Sequence, residues 1–130
     1  MKQKITSTKS PAVVGPYSHG IQSGNFLFCS GQIGTDPQTN MLVSDDVVTQ
    51  TTQVFENIKT LITAAGGTMD DIVKTAVYLK NIDDFPQMIE VYKTFFTEPF
   101  PARSTIGVAA LPKGALVEIE CITAIKKEVA

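Results

Sequence analysis

Residues Phe100 to Ile125 read FPARSTIGVAALPKGALVEIECITAI. Two strand-like runs, roughly 103–110 and 116–126, flank a turn at Pro112-Lys113-Gly114. Side chains alternate along a strand. In the second run Val117, Ile119, Cys121, Thr123 and Ile125 share one face, and Leu116, Glu118, Glu120, Ile122 and Ala124 the other. In the first run Ser104, Ile106, Val108 and Ala110 oppose Arg103, Thr105, Gly107 and Ala109. The sets that begin at Val117 and Ser104 read as the sides that pack on helices. The remaining face mixes Arg103, Glu118 and Glu120 with Leu116, Ile122, Ala109 and Leu111, too apolar for a fully wet sheet surface. An apolar face edged with charge predicts a homo-oligomer with cyclic closure. If the two runs form a hairpin, Arg103 lies opposite roughly residue 124, about 20 Å from Glu118. The two then meet only through neighbouring subunits or a ligand between them. Desolvated charges need a counter-charge or a ligand, and alternation leaves an intersubunit ion pair and a ligand site both open.

The chain has 130 residues, which fits one domain spanning 1–130 with a real core. Hydrophobic residues make up 43% and charged residues 18%, the balance of a globular chain rather than a disordered one. The net charge is −2 and no stretch concentrates Lys or Arg, which argues against a nucleic-acid or anionic-membrane partner. No apolar run approaches the length of a membrane span. Cys29 and Cys121 stand far apart, and nothing at MKQKITSTKS resembles a signal peptide. These features predict a cytoplasmic protein with two free, buried thiols. With one histidine, His19, and no C-x-x-C or H-x-x-x-H, the usual transition-metal sites are not expected. No Gly-rich phosphate loop occurs either, so any chemistry is expected to need neither metal nor nucleotide.

A short strand at KQKIT precedes STKSPAVVGPYSHG, a long loop by its Pro and Gly content and a candidate functional one. GIQSGNFLFCSGQIG predicts two strands turning at Ser23-Gly24-Asn25. Phe26 to Cys29 is a continuous apolar run, as in a strand buried on both faces, and Gly31 and Gly34 suggest a bulge or close backbone approach. In SDDVVTQTTQVFENIKTLITAAGG, apolar residues from Val47 to Ala65 recur at helical spacing, with Ser44 or Asp45 as cap and Gly66 at C′. Thr68 and Asp71 form a capping box ahead of a strand over 72–80. A second helix carries Phe85, Met88, Ile89, Tyr92, Phe95 and Phe96 on one stripe and ends before Pro99 and Pro101. Six strands and two amphipathic helices predict an α+β two-layer domain, both helices on one face of a single sheet.

GPYSHGIQSGNFLFCSGQIG followed by FPARSTIGVAALPKGALVEIE resembles the Rid family, also called the YjgF family, and most closely its RidA branch. The resemblance covers essentially the whole chain, and SGQI together with PARS…LP…EIE carries its specificity. It implies a chorismate-mutase-like fold with a six-stranded mixed sheet, in a homotrimer with sites in the clefts between subunits. It also implies that another strand separates the last two, which replaces the hairpin. The implied activity is hydrolysis of enamines and imines, such as 2-aminoacrylate released by pyridoxal-phosphate-dependent dehydratases, to 2-oxo acids and ammonia. No cofactor is implied for the protein itself.

Carried over residue by residue, the resemblance makes Arg103 the partner of the substrate carboxylate, where a planar guanidinium can donate two parallel hydrogen bonds. Glu118 matches the acid that activates water, and Glu120 reads as its structural neighbour. Tyr17 matches a cleft-closing tyrosine, and Ser30 and Gly31 match a pocket-lining segment. Thr105 stands where the branch often has cysteine and shares the face of Arg103. Ile89 stands where many relatives have asparagine, which bears on substrate range. A ligand-binding regulatory protein of the same fold is the alternative reading.

Overall fold

The computed structural model describes residues 1–126. The apolar stripe first seen at Val47 becomes helix α1, Val47–Ala64. Its cap is Asp46, not Ser44 or Asp45. Asp46 has extended backbone and its carboxylate accepts from the Thr49 N–H at 2.8 Å. Ser44 instead closes the turn before it, its hydroxyl accepting from the Asp46 N–H. At the other end Gly66 takes a φ of 86°, and the Gly66 and Gly67 N–H groups bond back to Thr63 and Ile62. That is the Schellman arrangement, which satisfies carbonyls the helix leaves open. Thr68 and Asp71 form the expected capping box on a 3-10 turn, Met69–Asp71.

The strands are β1 Gln3–Ile5, β2 Gly20–Ser23, β3 Phe26–Ile33, β4 Ile72–Leu79, β5 Ala102–Gly107 and β6 Val117–Ala124. Helix α2, Phe85–Phe95, lies between β4 and β5. The sheet order is β1-β2-β3-β6-β4-β5. All neighbours are antiparallel except β4 and β5. This is the α+β, six-stranded mixed sheet with two helices on one face. The last two strands are not a hairpin. A parallel pair needs a crossover of a dozen or more residues, and α2 supplies it, placing β5 on the far side of β4 while β6 enters between β3 and β4.

The core lies between the helices and one sheet face. Phe55 is fully buried among Tyr92, Phe95 and Phe96, with ring centroids 5.5, 4.9 and 5.5 Å away. Truncating such a ring to alanine costs about 3–5 kcal/mol. Val117, Ile119, Cys121, Thr123 and Ile125 all face this core as their alternation requires. Cys29 and Cys121 are free, buried register partners on β3 and β6. The Cys121 side chain and burial together raise the Cys29 thiol far above its ordinary range.

Two readings of the strands fail. Phe26 and Phe28 are about half exposed, 47% and 46%, while Leu27 and Cys29 are buried. The apolar run is therefore covered on one face only within a single chain. The face assigned to β5 is also reversed. Arg103 pairs in register with Thr75, and Thr75 with Cys121, so Arg103 and Thr105 project on the helix side. Ser104 and Ile106 join Glu118 and Glu120 on the open side, where Ile106 is 51% exposed.

Candidate active site

Gly31 sits at a break in the β3 ladder, where the register with β6 shifts between Cys29 and Gln32. The bulge expected from the two glycines is thus present, and the second glycine has the other expected role. A Cβ on Gly34 would stand 2.7 Å from the Gln50 carbonyl oxygen of α1. A Cβ on Gly31 would stand 2.8 Å from Glu118 Oε2. Glycine at 31 leaves room for the carboxylate of the neighbouring strand.

That carboxylate lies in a cleft of about 450 Å³ at one end of the sheet. Tyr17, His19, Gly31, Gln32, Asn40, Lys113 and Glu118 are among its lining residues. Glu118 is half-buried, and burial, then the charge of Glu120, raises its pKa above the ordinary carboxylate value. Burial disfavours the charged form because water no longer solvates it. Glu120 points to the same side of β6 but is engaged elsewhere: the Tyr78 hydroxyl donates to it. That hydrogen bond, then burial and the charges of Glu120 and Glu118, raise the pKa of the Tyr78 phenol.

The long loop before β2 is stitched onto the bulge. The Ser30 N–H donates to the His19 carbonyl at 2.8 Å, and the Ser30 hydroxyl donates to the Ser18 carbonyl. His19 Nε2 lies 2.5 Å from the Pro11 carbonyl oxygen, and Nδ1 lies 3.2 Å from Gln32 Nε2. The ring of Tyr17 meets that of His19 edge-on at 5.8 Å and remains 46% exposed over the cleft. His19, Gln32, Asn40 and Lys113 were not picked out as site residues from the sequence. The signal for His19, Gln32 and Lys113 was position alone, within the quoted SHG, SGQI and LPKG segments, and Asn40 lies in none of these. Asn40 and Lys113 both have left-handed backbone, φ 59° and 57°, and Lys113 Nζ donates to the Asn40 carbonyl.

Arg103 is not in this cleft. Its guanidinium carbon lies 5.2 Å from the centre of the Phe85 ring and 5.4 Å from that of Tyr92, both on α2. Glu118 pairs in register with Tyr78, and Arg103 with Thr75. The two are thus three β4 positions apart, about 10 Å along the strand, and about 9.5 Å across the sheet, on opposite faces. Thr105 stays beside Arg103, with its hydroxyl oxygen buried and without a hydrogen-bond partner. One chain therefore groups Tyr17, Gly31 and Glu118 at the cleft, keeps Ser30 out of its lining as the tie of the loop, and holds Arg103 and Thr105 apart from them.

This combination defines a class of α+β domain whose glutamate-bearing cleft and exposed arginine lie on opposite sides of one mixed sheet. A family profile described as Endoribonuclease L-PSP matches residues 7–125. The chain is 45% identical over 125 residues to a 2-iminobutanoate/2-iminopropanoate deaminase of Dermatophagoides farinae, covering 96% of this chain and 98% of that one. Among solved structures, RidA from an Antarctic Psychrobacter superposes with a TM-score of 0.91 at 47% identity, covering 95% of this chain and 99% of that one. Escherichia coli TdcF, solved with bound serine, gives a TM-score of 0.90 at 38% identity over 95% of this chain and 99% of its own. The chain belongs to the Rid (YjgF) family, in its RidA branch.

Proposed function

We propose that this protein hydrolyses 2-imino and 2-enamino acids, such as 2-iminobutanoate, 2-iminopropanoate and 2-aminoacrylate, to 2-oxo acids and ammonia. The observation that carries the reading is the division of the site. A half-buried glutamate sits in a cleft under a tyrosine, and an arginine with no carboxylate partner sits on the opposite face of the same sheet. Among the described residues the ion pair present is Lys93 with Glu90, at 2.8 Å. Cyclic association would bring the Arg103 of one copy to the Glu118 cleft of the next, in a homotrimer. Exposed Phe26, Phe28 and Ile106 on the open sheet face suit burial in such an assembly.

In this reading Arg103 donates two hydrogen bonds to the substrate carboxylate and fixes the imine carbon against a water in the cleft. An enamine first takes a proton at its terminal carbon and becomes the iminium. Water adds to the iminium carbon, and Glu118 accepts the proton the water loses. Glu118 returns that proton to the carbinolamine nitrogen, the C–N bond then breaks and ammonia leaves, and the hydroxyl proton passes to Glu118 as the C=O bond forms. Positioned proton transfer of this kind contributes about 10²–10⁴-fold. Tyr17 closes the cleft and orients the water. Ser30 acts by holding the loop, and Thr105 offers its unpaired hydroxyl beside the carboxylate after a side-chain rotation.

The test generates 2-aminoacrylate or 2-iminobutanoate with a dehydratase and follows conversion to the 2-oxo acid. Acceleration over the spontaneous rate, lost in Glu118→Gln, is the expected result. A folded oligomer that leaves the spontaneous rate unchanged defeats the reading and favours the regulatory alternative.

A further inference from the structure

Arg103 lies on an edge strand, exposed, and holds its place without an ion pair among the described residues. What touches it is helix α2. Phe85 and Tyr92 are seven residues apart, so their backbone positions lie about 10.5 Å apart along the helix axis, on the same side. The guanidinium carbon is 5.2 Å from one ring centre and 5.4 Å from the other, which places it between them. Ile89, the residue between the rings on that stripe, offers no acceptor. The Tyr92 hydroxyl is engaged with Thr75 at 2.7 Å, and Thr75 is the strand neighbour of Arg103. Phe85 therefore stands at the partly buried helix start, while Tyr92 is locked into the core.

We infer that Phe85 and Tyr92 are positioning residues that clamp Arg103 by its π faces so that its N–H fork remains free for an anionic substrate. A carboxylate partner would orient the arginine equally well but would consume the same donors the substrate needs. Cation–π contact orients the plane and leaves the in-plane N–H groups available. The functional half of this inference rests on the carboxylate-binding role proposed for Arg103; the clamp itself does not.

Arg103 is the sole arginine in the chain, so its Nε–Hε NMR signal needs no assignment. The order parameter of that signal is to be measured in wild type, Phe85→Leu, Phe85→Tyr and Tyr92→Phe, alongside the affinity of 2-oxobutanoate, the product-like carboxylate probe. Phe85→Leu keeps apolar bulk and removes one ring. Its order parameter falls, and the 2-oxobutanoate Kd and the substrate KM rise by about 3-fold, as loss of one exposed cation–π contact predicts, with kcat unchanged. Phe85→Tyr restores wild-type values, and Tyr92→Phe, which keeps its ring, retains the order. An unchanged order parameter in Phe85→Leu overturns the clamp. A lowered order parameter with the same 2-oxobutanoate affinity in Phe85→Leu, Arg103→Ala and wild type leaves the clamp standing but overturns Arg103 as the anion site, and the positioning role with it.

Discussion

Gly31 and the carboxylate of Glu118 share one space: a Cβ at position 31 would lie 2.8 Å from Oε2 and 2.9 Å from Cδ. Gly31→Ala therefore displaces the carboxylate rather than the backbone. The side chain can swing away, so thermal stability changes by about 1 kcal/mol or less, below the usual cost of overpacking a rigid core. Activity falls by about 100-fold, the scale of a 1 Å misplacement at a reacting centre. Paired calorimetry and kinetics check this. The neighbouring Gly34→Ala meets the Gln50 backbone instead and should lose about 1–3 kcal/mol of stability.

Activity should rise with pH through the titration of Glu118, because the base must be ionised to accept a proton. Burial first and Glu120 second lift that pKa above its ordinary 4.5. Glu120→Gln removes the second cause and shifts the acid limb of kcat/KM to lower pH, which a pH series on the variant measures. The stability linkage has the opposite sense. A carboxyl with a folded-state pKa above its unfolded value favours the native state most when protonated. That contribution is present below 4.5 and is lost as pH rises through the raised value. Glu118→Gln should thus gain stability relative to wild type at neutral pH, with the gain vanishing in acid. Urea titrations at two pH values test the sign.

Arg103→Ala and Glu118→Ala subunits should complement each other when refolded together. In the proposed homotrimer, each variant alone lacks one partner at every site. A mixed cyclic trimer holds one site built from two intact surfaces, about one third of its total. Recovered activity in the mixture, with none in either variant alone, is the expected result. A mixture as inactive as its components would rule out the shared site.

His19→Ala should release the loop that carries Tyr17. It removes the donor to the Pro11 carbonyl and the partner of Gln32, both buried contacts. Leaving such groups unpaired costs about 1–3 kcal/mol. Hydrogen exchange at residues 11–18 should accelerate, and KM should rise more than kcat falls. Protection unchanged from wild type would show that the Ser30 and Asn40 contacts hold the loop without His19.

Much of this protein was legible in its residues. Helical spacing from Val47 to Ala65, the left-handed Gly66, the Thr68–Asp71 box and the buried face of β6 are local patterns with one physical solution each. The SGQI and PARS segments carry the resemblance to the family in sequence alone. Tertiary structure decided what those patterns leave open. Alternation states which residues share a side of one strand, but not which side meets the helices when both are mixed. For β5 that choice was made by its parallel pairing with β4, imposed by the α2 crossover, and it turned Arg103 towards Phe85 and Tyr92. Contacts between distant strands likewise separated the two glutamates, giving Glu120 to Tyr78 and leaving Glu118 in the cleft. Sequence carries periodicity within an element, whereas register, facing and pairing arise only when elements compete for the same core.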